Sequence, residues 1–247
     1  MLQRIKLYQS SIWGKKHVKA KFLLPVVLLA CSGMLHADMM TIDMSGVANS
    51  PFTQLVNGWL FPEGEVTLSD IPFNIATGEN NIWFSHIAAG QGSGTATVEI
   101  PVNKEGVTTV HMLMGTGWGV NGSALTLLSF LGSNGATYNV EVRGNDLVRD
   151  HNQSRYTNTL AASNAREVWN SGEGQRLDAQ TFKLPDEFRN QTLERIRVTD
   201  KGEAGVSRVF VAAATAESAS VPEPSAFALL GLGLVGLGML KVRRKAR

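Results

Sequence analysis

The chain has 247 residues, 43% of them hydrophobic, with one cysteine, 25 glycines and a formal charge of +2. Its basic residues crowd at the two ends: between residues 38 and 220, twelve Lys and Arg stand against twenty Asp and Glu, a net of about −8. Such a surface repels phosphate and excludes a nucleic-acid partner, and a single cysteine excludes a disulfide framework.

Residues 1 to 21 carry Arg4, Lys6, Lys15, Lys16, Lys19 and Lys21 with no acid, and an apolar run from Phe22 ends in Leu35-His36-Ala37. This order predicts a signal peptide over residues 1–37 with a long basic leader, cleaved to leave Asp38 first. Leu28-Leu29-Ala30-Cys31 also resembles a lipobox, so type I and lipoprotein cleavage both stay open. On the first, the exported chain has no cysteine, hence no thiolate nucleophile and no cysteine metal site.

From Asp38 onward the hydrophobic period is two. Thr95 to Ile100, Thr109 to Met114, Thr137 to Val142 and Arg195 to Val198 alternate, and Val206 to Ala214 is a small-residue strand candidate. Glycine-rich and Asn-Gly-like turn signals separate these runs every 10 to 15 residues or so, as in antiparallel sandwiches. The expected architecture is all-β: one antiparallel β-sandwich over residues 38–211. Asn158 to Val168 is the one helical candidate of note, Pro185 to Asn190 a short turn, and Ala212 to Ser220 reads as a flexible linker of small and polar residues. Leu68 to Ile75, Ile100 to Asn103 followed by Val110 to Leu113, and Gly117-Trp118-Gly119 together resemble the galactose-binding-like jelly rolls found beside carbohydrate-active enzymes. The resemblance implies a jelly-roll fold and a carbohydrate ligand.

The candidates for chemistry are few. Gly117-Trp118-Gly119-Val120-Asn121-Gly122 has the form of a dinucleotide fingerprint, but Ser123 to Phe130 after it has the length and flanks of a strand, where a phosphate site needs a helix N-terminus. A glycine-rich loop is expected instead. His86, His111 and His151 show no metal-ligand spacing. Ser93 beside Asp150-His151 lacks the nucleophile-elbow pattern, since Gln91 stands where glycine is required. Paired carboxylates for glycoside cleavage remain open, because sequence spacing does not reveal them. Asp146, Asp150 and Asn152 offer oxygen ligands for calcium without any twelve-residue calcium loop, so no cofactor is expected beyond that ion.

Tryptophan is the most suggestive residue type. Sugar C–H faces stack on aromatic rings, so Trp118, held between glycines, is either a sugar platform with Arg143, Arg149 or Asp146 as hydrogen-bonding neighbours or a ring packed in the core. Trp83 and Trp169 lie in apolar alternation and read as core.

At the C-terminus, Val221-Pro222-Glu223-Pro224 precedes a glycine-punctuated apolar run from Ala226 to Leu240, and Lys241, Arg243, Arg244, Lys245 and Arg247 follow. The two prolines hold the signal extended. Fifteen residues of helix reach about 22 Å, a marginal membrane span with its basic end on the cytoplasmic side. This order resembles the sorting tail of PEP-CTERM proteins of Gram-negative, exopolysaccharide-making bacteria. The resemblance implies an exosortase-like processing enzyme as partner, anchoring in the inner membrane facing the periplasm, and then the cell surface or matrix.

The expectation is a non-catalytic surface or biofilm-matrix module binding exopolysaccharide or another glycan, or serving structurally. A secreted glycan-active hydrolase or lyase is the alternative.

Overall fold

The computed structural model describes residues 38–55, 61–90, 94–119, 124–153, 158–202 and 208–219. The leader, Trp59, Ser93 and the sorting tail lie outside the described residues. In chain order the strands are β1 (Asp38–Ile42), β2 (Gly64–Leu68), β3 (Ile71–Ile75), β4 (Trp83–Phe84), β5 (Ala96–Glu105), β6 (Val107–Gly117), β7 (Ala124–Gly132), β8 (Thr137–Arg143), β9 (Ala165–Asn170), β10 (Arg176–Lys183), β11 (Thr192–Asp200) and β12 (Arg208–Ser218). The helical pieces are one turn at Ser85–Ala88 and 3-10 turns at Phe52–Gln54 and Asp186–Asn190. The described residues are all-β, as the alternation predicts.

Every strand pair is antiparallel. The larger sheet runs β1-β12-β6-β10-β9, with β4 beside the start of β12; the smaller runs β5-β11-β7-β8; β2 and β3 form a separate hairpin. Alternation places one face of the smaller sheet inward. Val98 opposes Val198 and Ile100 opposes Ile196, while Leu128 and Phe130 continue the same rows across β7. These side chains meet Val110, Met112 and Met114 of β6 and Val211, Ala214 and Ala216 of β12 in one core. Pro101 lies on β5, an edge strand, where its missing N–H costs no ladder bond.

The larger sheet is covered on its other face as well. Ile71, Phe73 and Ile75 of β3, with Phe52 and Phe61, pack onto Leu113, Leu177, Ala179, Phe210, Ala212 and Ala213 in a second core. A strand buried on both faces loses its polar alternation. That is why β6 and β12 are buried almost throughout.

Two expectations are corrected here. Ala212 to Ser218 is strand, paired with β6 and β1, so the domain runs through Ser218 and not only to residue 211. Its small residues fit where the sheet is squeezed between two cores. A bulge between Val211 and Ala213 turns both Ala212 and Ala213 toward the hairpin, and the Thr215 hydroxyl donates to the Pro72 carbonyl. Nor is there a helix across residues 158–168: the chain enters β9 at Ala165 as an edge strand, with Ala165 to Gln180 and Asn170 to Arg176 as register pairs.

Candidate functional site

Strand β6 ends at Gly117, and the next residue leaves the sheet in a left-handed conformation: Trp118 has φ +55°. A non-glycine residue held there costs about 1–2 kcal/mol and needs its surroundings to enforce it. Three contacts do so. The indole packs on the buried Phe84 ring, with centroids 6.2 Å apart and planes 28° apart, and on the edge of His86 at 5.2 Å and 61°. Gly117 leaves the room behind it, since a Cβ there would stand 3.1 Å from Leu55 Cδ2 and 3.5 Å from Phe84 Cζ. The Gly119 amide donates to Asp150 Oδ2 at 3.3 Å.

Asp150 is itself fixed from below. Its other carboxylate oxygen accepts the Asn152 amide at 2.9 Å and its carbonyl accepts Arg176 Nε at 2.9 Å, while the neighbouring Arg149 carbonyl accepts the Thr116 amide at 3.0 Å. Arg149 binds both oxygens of Asp178, at 2.7 and 2.8 Å, and Glu167 at 2.7 Å. Burial pulls the Arg149 guanidinium toward losing its proton, but the two carboxylates outweigh burial and leave it above its ordinary value. Burial raises the Asp178 carboxyl against the pull of Arg149.

The result is a half-exposed indole, 37% accessible, on a braced support. Burial and the charge of Arg208 both lower His86, so the ring beside Trp118 is a neutral imidazole. This end of the sandwich also buries Asp200, whose carboxylate accepts the Ser85 hydroxyl, the Val209 amide at 3.3 Å and the Gly202 amide at 3.0 Å.

The neighbours expected around Trp118 make these contacts among the described residues. Arg143 closes β8 and donates to Glu141, and the backbone of Asp146 takes part in the turn that follows, accepting the Ala162 amide at 3.3 Å. Arg149 points its guanidinium into the support below. Asp150 and His151 are buried structural groups and not an open polar loop. Trp83 is core, 3% exposed, and Trp169 packs tilted on Phe61 at 5.1 Å. Gly117 ends a strand and Ala124 begins the next, so the glycine-rich segment joins two strands of different sheets. Among the described residues, no group of three or more His, Cys, Asp or Glu is arranged to hold a metal ion.

A second constellation escaped the sequence. On the hairpin side of the larger sheet, His111 Nδ1 lies 3.0 Å from the Thr181 hydroxyl and Nε2 lies 3.2 Å from Glu217 Oε2. Burial lowers His111 against the opposing pull of Glu217, so the ring is neutral. A carboxylate only accepts, which puts the proton on Nε2 and makes Nδ1 the acceptor for Thr181. The one signal was a histidine inside the otherwise apolar run from Val110 to Met114.

Residues 220–245 match the family described as PEP-CTERM protein-sorting motif. The matched segment contains Val221, Pro222, Glu223, Pro224 and the apolar run. The chain therefore carries a signal for export, membrane-anchored sorting and processing by an exosortase-like system, and is a sorted surface or extracellular protein. No curated protein matches the chain.

Proposed function

We propose that the exported domain is a non-catalytic glycan-binding module of the cell surface or exopolysaccharide matrix, with the Trp118 ring as its sugar platform. The observation that carries this reading is the ring itself, exposed yet held at φ +55° by Phe84, His86 and the Gly119–Asp150 bond. A pyranose presents its C–H face to such a ring, and the support removes the entropy cost of ordering the indole on binding. The antiparallel sandwich suits the galactose-binding-like jelly-roll resemblance. An inner-membrane stage followed by residence at the polysaccharide-rich surface is part of this proposal, and the sorting motif is compatible with it.

Glycan arrays and isothermal titration of the intact protein against its host's exopolysaccharide test this. Trp118→Ala is expected to weaken binding about 5- to 30-fold, the loss of roughly 1–2 kcal/mol of stacking. Unchanged affinity in that variant rejects the platform, and release of new reducing ends rejects the non-catalytic reading in favour of a hydrolase.

A further inference from the structure

A cavity of about 770 Å³ opens over His111, Thr181 and Glu217, within the range of small-molecule sites. It begins under the β2–β3 turn at Ser69 and Asp70, both in left-handed backbone, where Arg166 of β9 donates to the Ser69 carbonyl at 2.9 Å. It then crosses the end of β10 at Thr181 and Lys183, where β9 has stopped and Asn164 takes over by donating to the Thr181 carbonyl at 2.9 Å. It reaches Tyr138 on β8, the edge of the smaller sheet.

We infer that this groove is a second ligand site, one that takes a neutral sugar of one or two rings. This rests on the reading of the domain as a glycan-binding module. The charges decide the class of ligand. Asp70 and Glu217 balance Arg166 and Lys183, and the imidazole at the floor is neutral, so an anion meets two carboxylates and a cation two bases. A purely apolar ligand desolvates the second carboxylate oxygen of Glu217 and the remaining hydrogen-bonding capacity of Thr181 and Asn164 without replacing their water, at a cost for each group. A polyol, whose hydroxyls donate and accept alternately, satisfies the whole set, and Tyr138 supplies an aromatic face for its C–H side. The half-buried His111–Glu217 bond fixes one carboxylate oxygen and leaves the other for a sugar hydroxyl, so the groove is ordered before the ligand arrives.

The test uses full-length ¹⁵N-labelled protein in a phosphocholine detergent, which carries no sugar, titrated with maltose, cellobiose and lactose. The expected result is saturable shifts at the amides of His111, Thr181 and Lys183 with at least one of the three sugars. Glu217→Gln and Lys183→Ala should each weaken that response about tenfold, while Trp118→Ala leaves it unchanged. Lys183 is exposed, so its variant keeps the fold even where Glu217→Gln disturbs the sheet. Shifts confined to Trp118 and abolished in Trp118→Ala overturn the groove and leave the platform standing. Shifts confined to the groove do the reverse. A flat titration with all three sugars at both places overturns the groove.

Discussion

The Gly119 amide donates to the carboxylate of Asp150, and through that one bond the exposed indole of Trp118 is tied to the ion-pair network of Arg149, Asp178 and Glu167. The support of the ring thus reaches down to a buried carboxylate, Asp178.

Removing the Asp178 carboxylate should therefore act twice. Asp178 is 3% exposed and holds Arg149 by two bonds, so Asp178→Ala leaves a largely buried guanidinium with Glu167 as its remaining described carboxylate. Breaking one side of a buried pair costs about 3–5 kcal/mol. Urea denaturation should show a loss in that range, and glycan affinity should fall although Trp118 is intact. A variant as stable as the parent contradicts the bracing role.

Trp118 and Trp83 should separate cleanly in stability. Trp83 is 3% exposed, and its truncation to alanine should cost about 3–5 kcal/mol. Trp118→Ala should cost no more than about 1–2 kcal/mol, because over a third of the ring already faces water and alanine in the same left-handed backbone keeps the strain. Equal losses at both positions would mean that Trp118 is a core residue.

Stability should fall on mild acidification. His86 and His111 both titrate below their ordinary value of about 6.5 in the folded chain, by burial first in each case. Their stabilising contribution is complete above that value and is lost as the pH drops through it toward the folded-state values, since the unfolded chain takes up protons first. Around His111 the facing groups are Glu217 from β12, Arg166 from β9 and Thr181 from β10, with Asp70 across the groove. Melting curves between pH 7.5 and 5.5 should show the decline, smaller in His111→Gln than in the parent. A flat profile over that range contradicts the assignment of both rings as neutral.

The C-terminal boundary of the domain is open to truncation. A chain from Asp38 ending at Ser218 should fold, whereas one ending at residue 211 lacks the strand residues that pair with β1 and with Met112, His111 and Val110. Far-UV circular dichroism and dispersed amide resonances distinguish the two. A cooperative transition in the shorter chain would show that β1 and the end of β12 are dispensable.

In the native host, deletion of Val221 to Arg247 should release the domain to the periplasm or medium. Identical fractionation of the truncated and intact proteins contradicts control by the tail.

The residues differ in how openly they announced themselves. Val98, Ile100, Ile196 and Val198 alternate because the smaller sheet has one wet face, so their strands could be read by eye. Ala212 to Ala216 could not: between two cores only small side chains fit, and a run of small residues has the composition of a linker. Ala165 to Asn170 sits on an edge, where little burial imprints a pattern. Of the candidate site, Trp118 was visible because glycines flank it. Phe84 and His86 were not, being more than 30 residues away with no local mark. The groove was invisible for the same reason, since His111, Thr181 and Glu217 meet only through strand pairing.

Strand β12 gives the domain a direction. Its first residue pairs with Gly117, next to Trp118, and its last pairs with Asp38. Ten steps of extended chain separate those ends by about 33 Å. The sorting signal follows within three residues of Ser218. Trp118 therefore lies beyond one end of β12, and Asp38 lies at the other with Ser218, the strand residue nearest in sequence to the sorting signal. The ring and the His111–Glu217 groove are thus set toward opposite ends of one strand, so a single long polymer and a short sugar have separate places to be tested on the same domain.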